Sequence, residues 1–519
     1  MSTTVHPSPH NPTPRGTPVA SSGHPRRWAG LAVLAASLLV VVMDMTILNV
    51  ALPDLAADLQ PGSVQLLWIV DVYPLVLAGL LVPVSALADR WGRRRMLLSG
   101  FTLFGIASLL VLLADSAGDV IAVRALLGLG GAMIMPSTLS LIRALFTDPR
   151  ERATALGIWG AMAAVGGAVG PIVGGALLEA FSWHAAFLFN VPVMVVAIAA
   201  GLWLLPESRS ARPGRIDAAG VTLAVTGMVA LVFGVKDLGK HGLTVVSVGA
   251  LVIGALVLTS FVRRCLRQGD PMLEVRLFEG RAFRAGVLTA LTTSTAMAAL
   301  LLLGAQWLQL VRGFSPLEAG VALLPMAVGG IIGSPLAPAV ADRIGARTVL
   351  AGGLAVAGVG FLLLRLLPAP LSYPGLAAAL ALVGVGTASL AVASAVIMAG
   401  APTDKAGSAA AIEETSYELG AVLGVAVLGS LASAIYRAGV DVGGLTGTAG
   451  TTARDSLAGA LEVARDLGAS GSGLAADASA AFTSSLAWFG LAGGVLMLLA
   501  SVVVWRLVPA DLDLADVEH

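Results

Sequence analysis

Glu413, Glu414 and Glu418, with Tyr417 among them, interrupt an otherwise apolar run over residues 408–434. That run is long enough to cross a bilayer, which takes about 20 apolar residues. An acid near the bilayer centre costs roughly 2.5–3.5 kcal/mol on insertion scales, so three in one span require a polar setting. At about 100° per residue, Glu413, Tyr417, Glu414 and Glu418 fall near 0°, 40°, 100° and 140° of a helical wheel. They share one face, and it is not the face turned to lipid. One setting is an acidic helix end whose side chains reach out to water. The other is a water-accessible cavity that binds protons, cations or both. Glu418 stands roughly 17 Å along the helix, too deep for the first, and the cavity is the expectation.

Three further charges lie inside apolar runs: Asp44 in 28–50, Asp71 near the outer end of the run 65–87, which is its start, and Arg124 about one turn into 120–143. An intramembrane Arg rarely goes unpaired. An Asp44–Arg124 pair has two readings, a static ion pair that fixes packing or a proton site. In the second, the guanidinium favours the charged carboxylate and burial the neutral one, leaving a group that loads and unloads. Trp68 precedes Asp71 by three residues, so a ring and a carboxylate share a helix face. That arrangement suits a lipophilic cation, and equally a tryptophan of the membrane-interface belt. Met residues are frequent nearby (Met43, Met45, Met133, Met135, Met162, Met297, Met326), as adaptable thioethers or as ordinary packing.

Other chemistries are not supported. The lone Cys265 and scattered His184, His241 and His519 make no metal site, and none is expected. Gly128-x-Gly130 sits inside an apolar helix with no strand before it, so it is not a nucleotide loop. No catalytic constellation appears, so the chain is not expected to be an enzyme, nor to need a cofactor.

The elements that must position these residues are helices in a membrane. Of 519 residues, 57% are hydrophobic and 12% charged, with mean hydropathy +0.90; soluble proteins carry about 25% charged residues. Fourteen stretches have spanning length. They divide into an N-terminal six-helix half (28–205), an inserted two-helix hairpin (216–262) and a C-terminal six-helix half (284–507). Residues 1–27, rich in Pro, Ser, Thr and His, read as a disordered tail, and 508–519 as a cytoplasmic tail. Residues 436–481 form the one long loop, and 456–467 within it have an amphipathic pattern. An even number of spans puts both termini on one side. That side carries 23 of the 31 Lys and Arg and the other side 7, with Arg124 inside a helix, so both termini are expected in the cytoplasm, the spans in the inner membrane. Zero formal net charge offers no basic face for nucleic acid. A monomer is expected.

The chain also repeats itself. Asp89-Arg90-Trp91-Gly92 recurs as Asp342-Arg343-Ile344-Gly345, Gly128-x-Gly130 as Gly384-x-Gly386, and Gly166-x-x-x-Gly170 as Gly420-x-x-x-Gly424. The offsets, 253, 256 and 254, agree on one register. Two parallel halves around a midplane site are the build of a rocking transporter.

Several motifs in order resemble a known family. They are Asp44-x-Thr46 through Pro53, Asp89-Arg90-x-Gly92-Arg93-Arg94-Arg95, Arg124 with its glycines, and Gly166-x-x-x-Gly170-Pro171-x-x-Gly174-Gly175. This set resembles the fourteen-spanner drug:proton antiporters of the major facilitator superfamily. With Trp68, Asp71 and the acids of the thirteenth span, it is similar to the QacA-type quaternary-ammonium efflux pumps. The resemblance implies an all-α major facilitator fold and proton-driven efflux of lipophilic organic cations. It implies coupling at Asp44, Glu413, Glu414 and Arg124, and substrate contact at Asp71, Glu418, Trp68 and Tyr417. It places Asp89, Arg90, Gly92 and Arg93 in a gating loop, Asp89 lying against the N-terminus of the thirteenth span. Gly166, Gly170, Pro171 and Gly174 then form the antiporter motif where helices approach closely. The loop's usual leading glycine is Ser85 here, also small. Some relatives in that group carry an acid in the tenth span, whereas 324–330 has none, which implies a preference for monocations over rigid dications. The alternatives are export of a self-made antibiotic or another metabolite, and a non-transporting sensor. The longest cytoplasmic connection, 263–281, is too short for a sensor's output domain.

Overall fold

The structure, a computed structural model, describes residues 25–61, 63–209, 217–269, 271, 273–367, 371–402 and 405–509. Most of both expected tails lies outside these. The first half contains α1 (Arg27–Leu59), α2 (Ser63–Trp91), α3 (Arg93–Leu110), α4 (Ala117–Leu145), α5 (Pro149–Ala180) and α6 (Ala185–Leu204). The hairpin is α7 (Ala218–His241) and α8 (Val245–Arg267). The second half contains α9 (Arg281–Val311), α10 (Leu324–Ile344), α11 (Ala346–Leu366), α12 (Tyr373–Ala399), α13 (Ala406–Gly439) and α14 (Ser472–Leu507). Among the described residues there is no strand. Thirteen of these helices are long and apolar enough to span a membrane, and α5 makes a fourteenth if its two pieces count as one.

Those two pieces, Pro149–Gly167 and Val169–Ala180, meet at 42°. The cause is Pro171. It has no N–H for the Gly167 carbonyl four residues back, and its ring pushes that carbonyl aside. Caps set the ends: Asp148 accepts from the Arg150 and Glu151 amides with Pro149 in the first turn of α5, and Ser116 accepts from the Asp119 amide to start α4. Both satisfy N–H groups a helix start leaves open.

The repeat read in the sequence is present in the packing. In the first half α1 packs on α5, α2 on α4, and α3 on α4 and α6; in the second, α9 packs on α13, α10 on α12, and α11 on α12 and α14. The equivalence extends to single glycines. A Cβ on Gly166 would press on the Leu39 carbonyl and Val42 of α1, and one on Gly170 would overlap Thr46. Their counterparts Gly420 and Gly424 of α13 lie as tightly on Leu291, Ser294 and Thr295 of α9. Gly174 is a looser member, with Ile47 Cγ2 at 3.2 Å from an added Cβ.

The halves meet along two seams, α2 with α13 and α5 with α10. The hairpin attaches at the first: α7 lies on α2 and reaches α13, while α8 packs chiefly on α7 and has only 17% of its span buried. In the long loop, the helix Leu457–Asp466 buries Leu457, Ala460, Val463 and Ala464 and packs on α14. It realises the amphipathic pattern. The last span begins at Ser472, inside the segment expected to be loop.

The α1–α5 contact yields a test. Gly170→Val is expected to force α1 off α5, at the roughly 1–3 kcal/mol typical of overpacking. A lower melting temperature in detergent and lost transport should follow, whereas Gly175→Ala, with nothing within 4 Å of its added Cβ, should match the parent.

Candidate functional site

Between the halves lies a cavity of about 380 Å³. Its first-half wall is apolar: Leu38, Val42 and Met45 of α1, Met135 of α4, and Leu156, Trp159, Ala163 and Pro171 of α5. Met297 and Leu301 of α9, Met326, Ala327 and Gly330 of α10, and Ala391 of α12 continue that lining. Among the described residues, the charged ones on the wall are Glu414 and Glu418 of α13, with Tyr417 between them, and no Lys, Arg or His lines it. One turn of helix separates the two acids, about 6 Å along the axis.

The local sequence explains how α13 brings acids so deep. Its first turns, Ala406-Gly407-Ser408-Ala409-Ala410-Ala411, are small and buried, so neighbouring helices close around the backbone. The acids follow as the helix enters the cavity. Glu413 and Glu414 are fully buried. Tyr417 donates its hydroxyl to Glu413 Oε1 at 3.2 Å. Glu413 Oε2 and both carboxylate oxygens of Glu414 have no hydrogen-bond partner. A buried carboxylate without donors is costly as an anion.

The other intramembrane charges are placed elsewhere. Asp44 and Arg124 form a closed ion pair within the first half, with Nη1 at 2.9 Å from Oδ2 and both side chains 2% exposed. Arg124 Nε also donates to the Ile69 carbonyl at 3.2 Å, and its guanidinium lies 4.5 Å from the centre of the Tyr73 ring. Neither Asp44 nor Arg124 lines the cavity. Trp68 is 41% exposed and does not line it either. The Asp71 side chain lies outside the described residues. Of the residues expected to touch substrate, the structure therefore brings Glu418 and Tyr417 to the cavity, together with Glu414 from the coupling set, while Glu413 sits behind it.

At the end where α1 begins and α14 finishes, the halves are joined across the cavity. Asp89 is buried against the first turn of α13, so close that a Cβ on Gly407 would overlap its carboxylate. Ser85 Oγ donates to the Gly407 carbonyl at 2.6 Å. Arg93 donates to Asp89 Oδ1 at 2.9 Å from Nε. Gly92 turns the chain between them with φ of 124°, a conformation side chains disfavour. Arg90 is exposed. In the repeat, Asp342 holds Arg150 in the first turn of α5 at 3.2 Å. Arg143 of α4 donates to the Met398 and Ala401 carbonyls at the close of α12.

Three site residues escaped the sequence reading. Trp159 lines the cavity with its Nε1 donating to Thr138 Oγ1 at 3.1 Å; a tryptophan among Gly and Ala in one span was the available signal. Arg143 looked like one more basic residue of its side. Asn190 of α6, an amide inside an apolar run, donates to Asp44 Oδ1 at 2.7 Å.

Two six-helix halves related by a repeat, enclosing an acid-bearing cavity and joined at one end, define a multi-pass membrane transporter of the rocking kind. The chain belongs to the Major Facilitator Superfamily, which it matches over residues 34–425. It is 42% identical over 492 residues to the multidrug efflux pump LfrA of Mycolicibacterium smegmatis, covering 94% of this chain and 98% of that one. To the methyl viologen resistance protein SmvA of Salmonella typhimurium it is 37% identical, covering 92% and 98%. To the puromycin resistance protein pur8 of Streptomyces alboniger it is 36% identical, covering 80% and 84%. Among solved structures, the human organic anion transporter MFSD10 shares the fold, with a TM-score of 0.59 at 16% identity, covering 93% of this chain and 100% of that one.

The Asp89 contact predicts a shift in how the halves rest. A carboxylate at a helix N-terminus contributes about 0.3–1 kcal/mol when exposed and up to about 2 kcal/mol when partly buried. Asp89→Asn should therefore open this end severalfold more often. Labelling of cysteines introduced on each side of the cavity measures it, against a background of one buried cysteine, Cys265. An unchanged ratio would remove Asp89 from gating.

Proposed function

We propose that this chain is a proton-driven multidrug antiporter that expels lipophilic organic cations, quaternary ammonium compounds and ethidium-like dyes among them. The observation that carries the reading is Glu414 and Glu418 on the wall of an apolar cavity that no basic residue lines among the described residues. Such a wall attracts a cation by charge and holds its hydrocarbon by burial. The Trp159 ring adds a π face. The names of LfrA and SmvA support efflux of this kind. On this reading the chain is a QacA-type pump of the fourteen-spanner branch, working as a monomer in the inner membrane with both termini in the cytoplasm. The pur8 likeness supports a second reading, export of an antibiotic.

Coupling follows from exclusion. A carboxylate in a dry cavity can carry a proton or face an organic cation, and not both. Protons entering from outside discharge the cation, and their release to the cytoplasm readies the site for the next. Glu413 and Glu414 are adjacent and buried, so a proton on one bears on the charge of the other. Asp44 and Arg124 form a second coupling element away from the cavity. Asp89, Arg93 and Gly92 hold the cytoplasmic end shut while the cavity serves the outside. Gly166, Gly170 and Gly174 let α1 and α5 move as closely packed backbones.

The cavity lining supports a second expectation, for dications. The missing acid in α10 implied a preference for monocations, and Gly330, where it would stand, does line the cavity. Glu414 and Glu418 nevertheless offer two counter-charges one helical turn apart. A dication whose charges lie about that far apart, as in methyl viologen, is therefore expected as a substrate.

Everted vesicles, with ethidium supplied in the medium at their cytoplasmic face, test the coupling. An imposed pH gradient, with no ATP, should drive transport, and a protonophore should stop it; ATP-driven transport that survives the protonophore would overturn the reading. Replacing Glu413 and Glu414 together by Gln should abolish uphill transport in a folded protein. With one proton competing per cation, apparent affinity should fall about tenfold per pH unit on acidification of the loading side, below the point where the acids take up protons. Glu418→Gln should weaken methyl viologen resistance far more than ethidium resistance, since leaving one charge of a dication unmatched costs several kcal/mol. Gly330→Asp should add little. Equal losses for both substrates would mean that Glu414 and Glu418 do not act as a pair.

A further inference from the structure

Among the described residues, the groups around Asp44 can be named. Arg124 of α4 donates to Oδ2 at 2.9 Å, and Asn190 of α6 donates to Oδ1 at 2.7 Å. Tyr73 of α2 lies under the guanidinium, with its hydroxyl making no hydrogen bond. Glu418 of α13 acts on Tyr73 from the other half. The α5 face turned to α1 is glycine, and α3 contributes Ser108, whose Oγ is 3.3 Å from Asn190 Nδ2. Each oxygen of Asp44 thus has a donor, which is the arrangement an ionised carboxylate needs.

A protonated Asp44 needs something different: an acceptor for its new O–H. Arg124 cannot supply one, because a guanidinium only donates. The Ile69 carbonyl is taken by Arg124 Nε. Asn190 has the missing acceptor, since its Oδ1 is fully buried and unpartnered. Amide oxygen and nitrogen occupy nearly the same shape, so a half-turn of the amide plane exchanges the donor facing Asp44 for an acceptor. The Ser108 hydroxyl, free to rotate, can accept from the amide in one setting and donate to it in the other.

We propose that Asn190 is the positioning residue for the proton on Asp44, its amide turning over as that carboxylate is loaded and unloaded. The assignment rests on the antiport reading with Asp44 as a coupling acid. It explains why a fully buried, half-satisfied amide stands in an apolar helix, where an orphaned polar atom is otherwise a net cost. It also means that the Asp44 carboxyl itself meets a hydrogen-bonding partner on Asn190 in either charge state.

The test is the pH dependence of ethidium efflux by the full-length protein in proteoliposomes, with Asn190→Leu and Asn190→Asp. Asn190→Leu removes the donor that favours ionised Asp44. Proton release then requires a higher pH, and the midpoint of the efflux profile should move up by about one pH unit, the difference between a charge-assisted and a neutral hydrogen bond. Asn190→Asp keeps the shape but cannot donate once ionised, and should move the midpoint in the same direction. A packing role would lower yield or rate and leave the midpoint where it is. Transport by either variant at the parental midpoint overturns the assignment; if Asn190→Leu does not fold, Asn190→Asp decides alone. Parental protein that ignores the pH gradient would instead overturn the antiport reading.

Discussion

Everything in this molecule answers to the cost of a charge in a medium that cannot solvate it. Isolated ions in a low-dielectric setting are so unfavourable that each must find a counter-charge, a helix dipole or a transferable proton. Asp44 uses the first with Arg124. Asp89 uses the second at the start of α13, and Arg143 its mirror image at the closing carbonyls of α12. Glu414, with no donor on either oxygen, is left to the third or to a cationic guest. Permanent partners build the halves, dipoles join them across one end, and the unmet charge faces the cavity.

Close backbone approach is the second constraint, and it depends on the first. Charges separated by a full side-chain layer would not reach their partners. The glycines of α5 and α13 remove that layer on α1 and α9, and the alanines before Glu413 do so around α13 itself. The bend at Pro171 steers α5 along the cavity wall that its own Gly160, Gly167 and Pro171 help to form.

The fold was largely legible because membrane helices announce themselves by length and apolarity, and the repeat by glycine spacing that packing then required. The acids of α13 were legible for the same reason, since three carboxylates in one span have few physical settings. What the sequence could not show is distance between helices. Asp44 and Glu418 look alike as acids inside apolar runs, yet Asp44 is sealed by an ion pair and Glu418 reaches the cavity. Trp68 and Trp159 also look alike, one exposed and one on the wall. Asn190 went unnoticed because an amide carries no charge, and its meaning depends on which helix it faces.

The hairpin has a mechanical consequence. Residues of α7 (Met228 and Val232) are packed in one apolar cluster with Leu75 and Ala78 of α2 and Val422 and Ala426 of α13. These helices belong to different halves, so any tilting of one half against the other drags the hairpin along with one and shears it against the other. Dispersion and hydrocarbon burial have no preferred direction, and a greasy joint of this kind slides where a network of hydrogen bonds would tear. Among the described residues, the opposite flank, α5 on α10, has no such hairpin packed on it, so the two seams between the halves differ in what covers them.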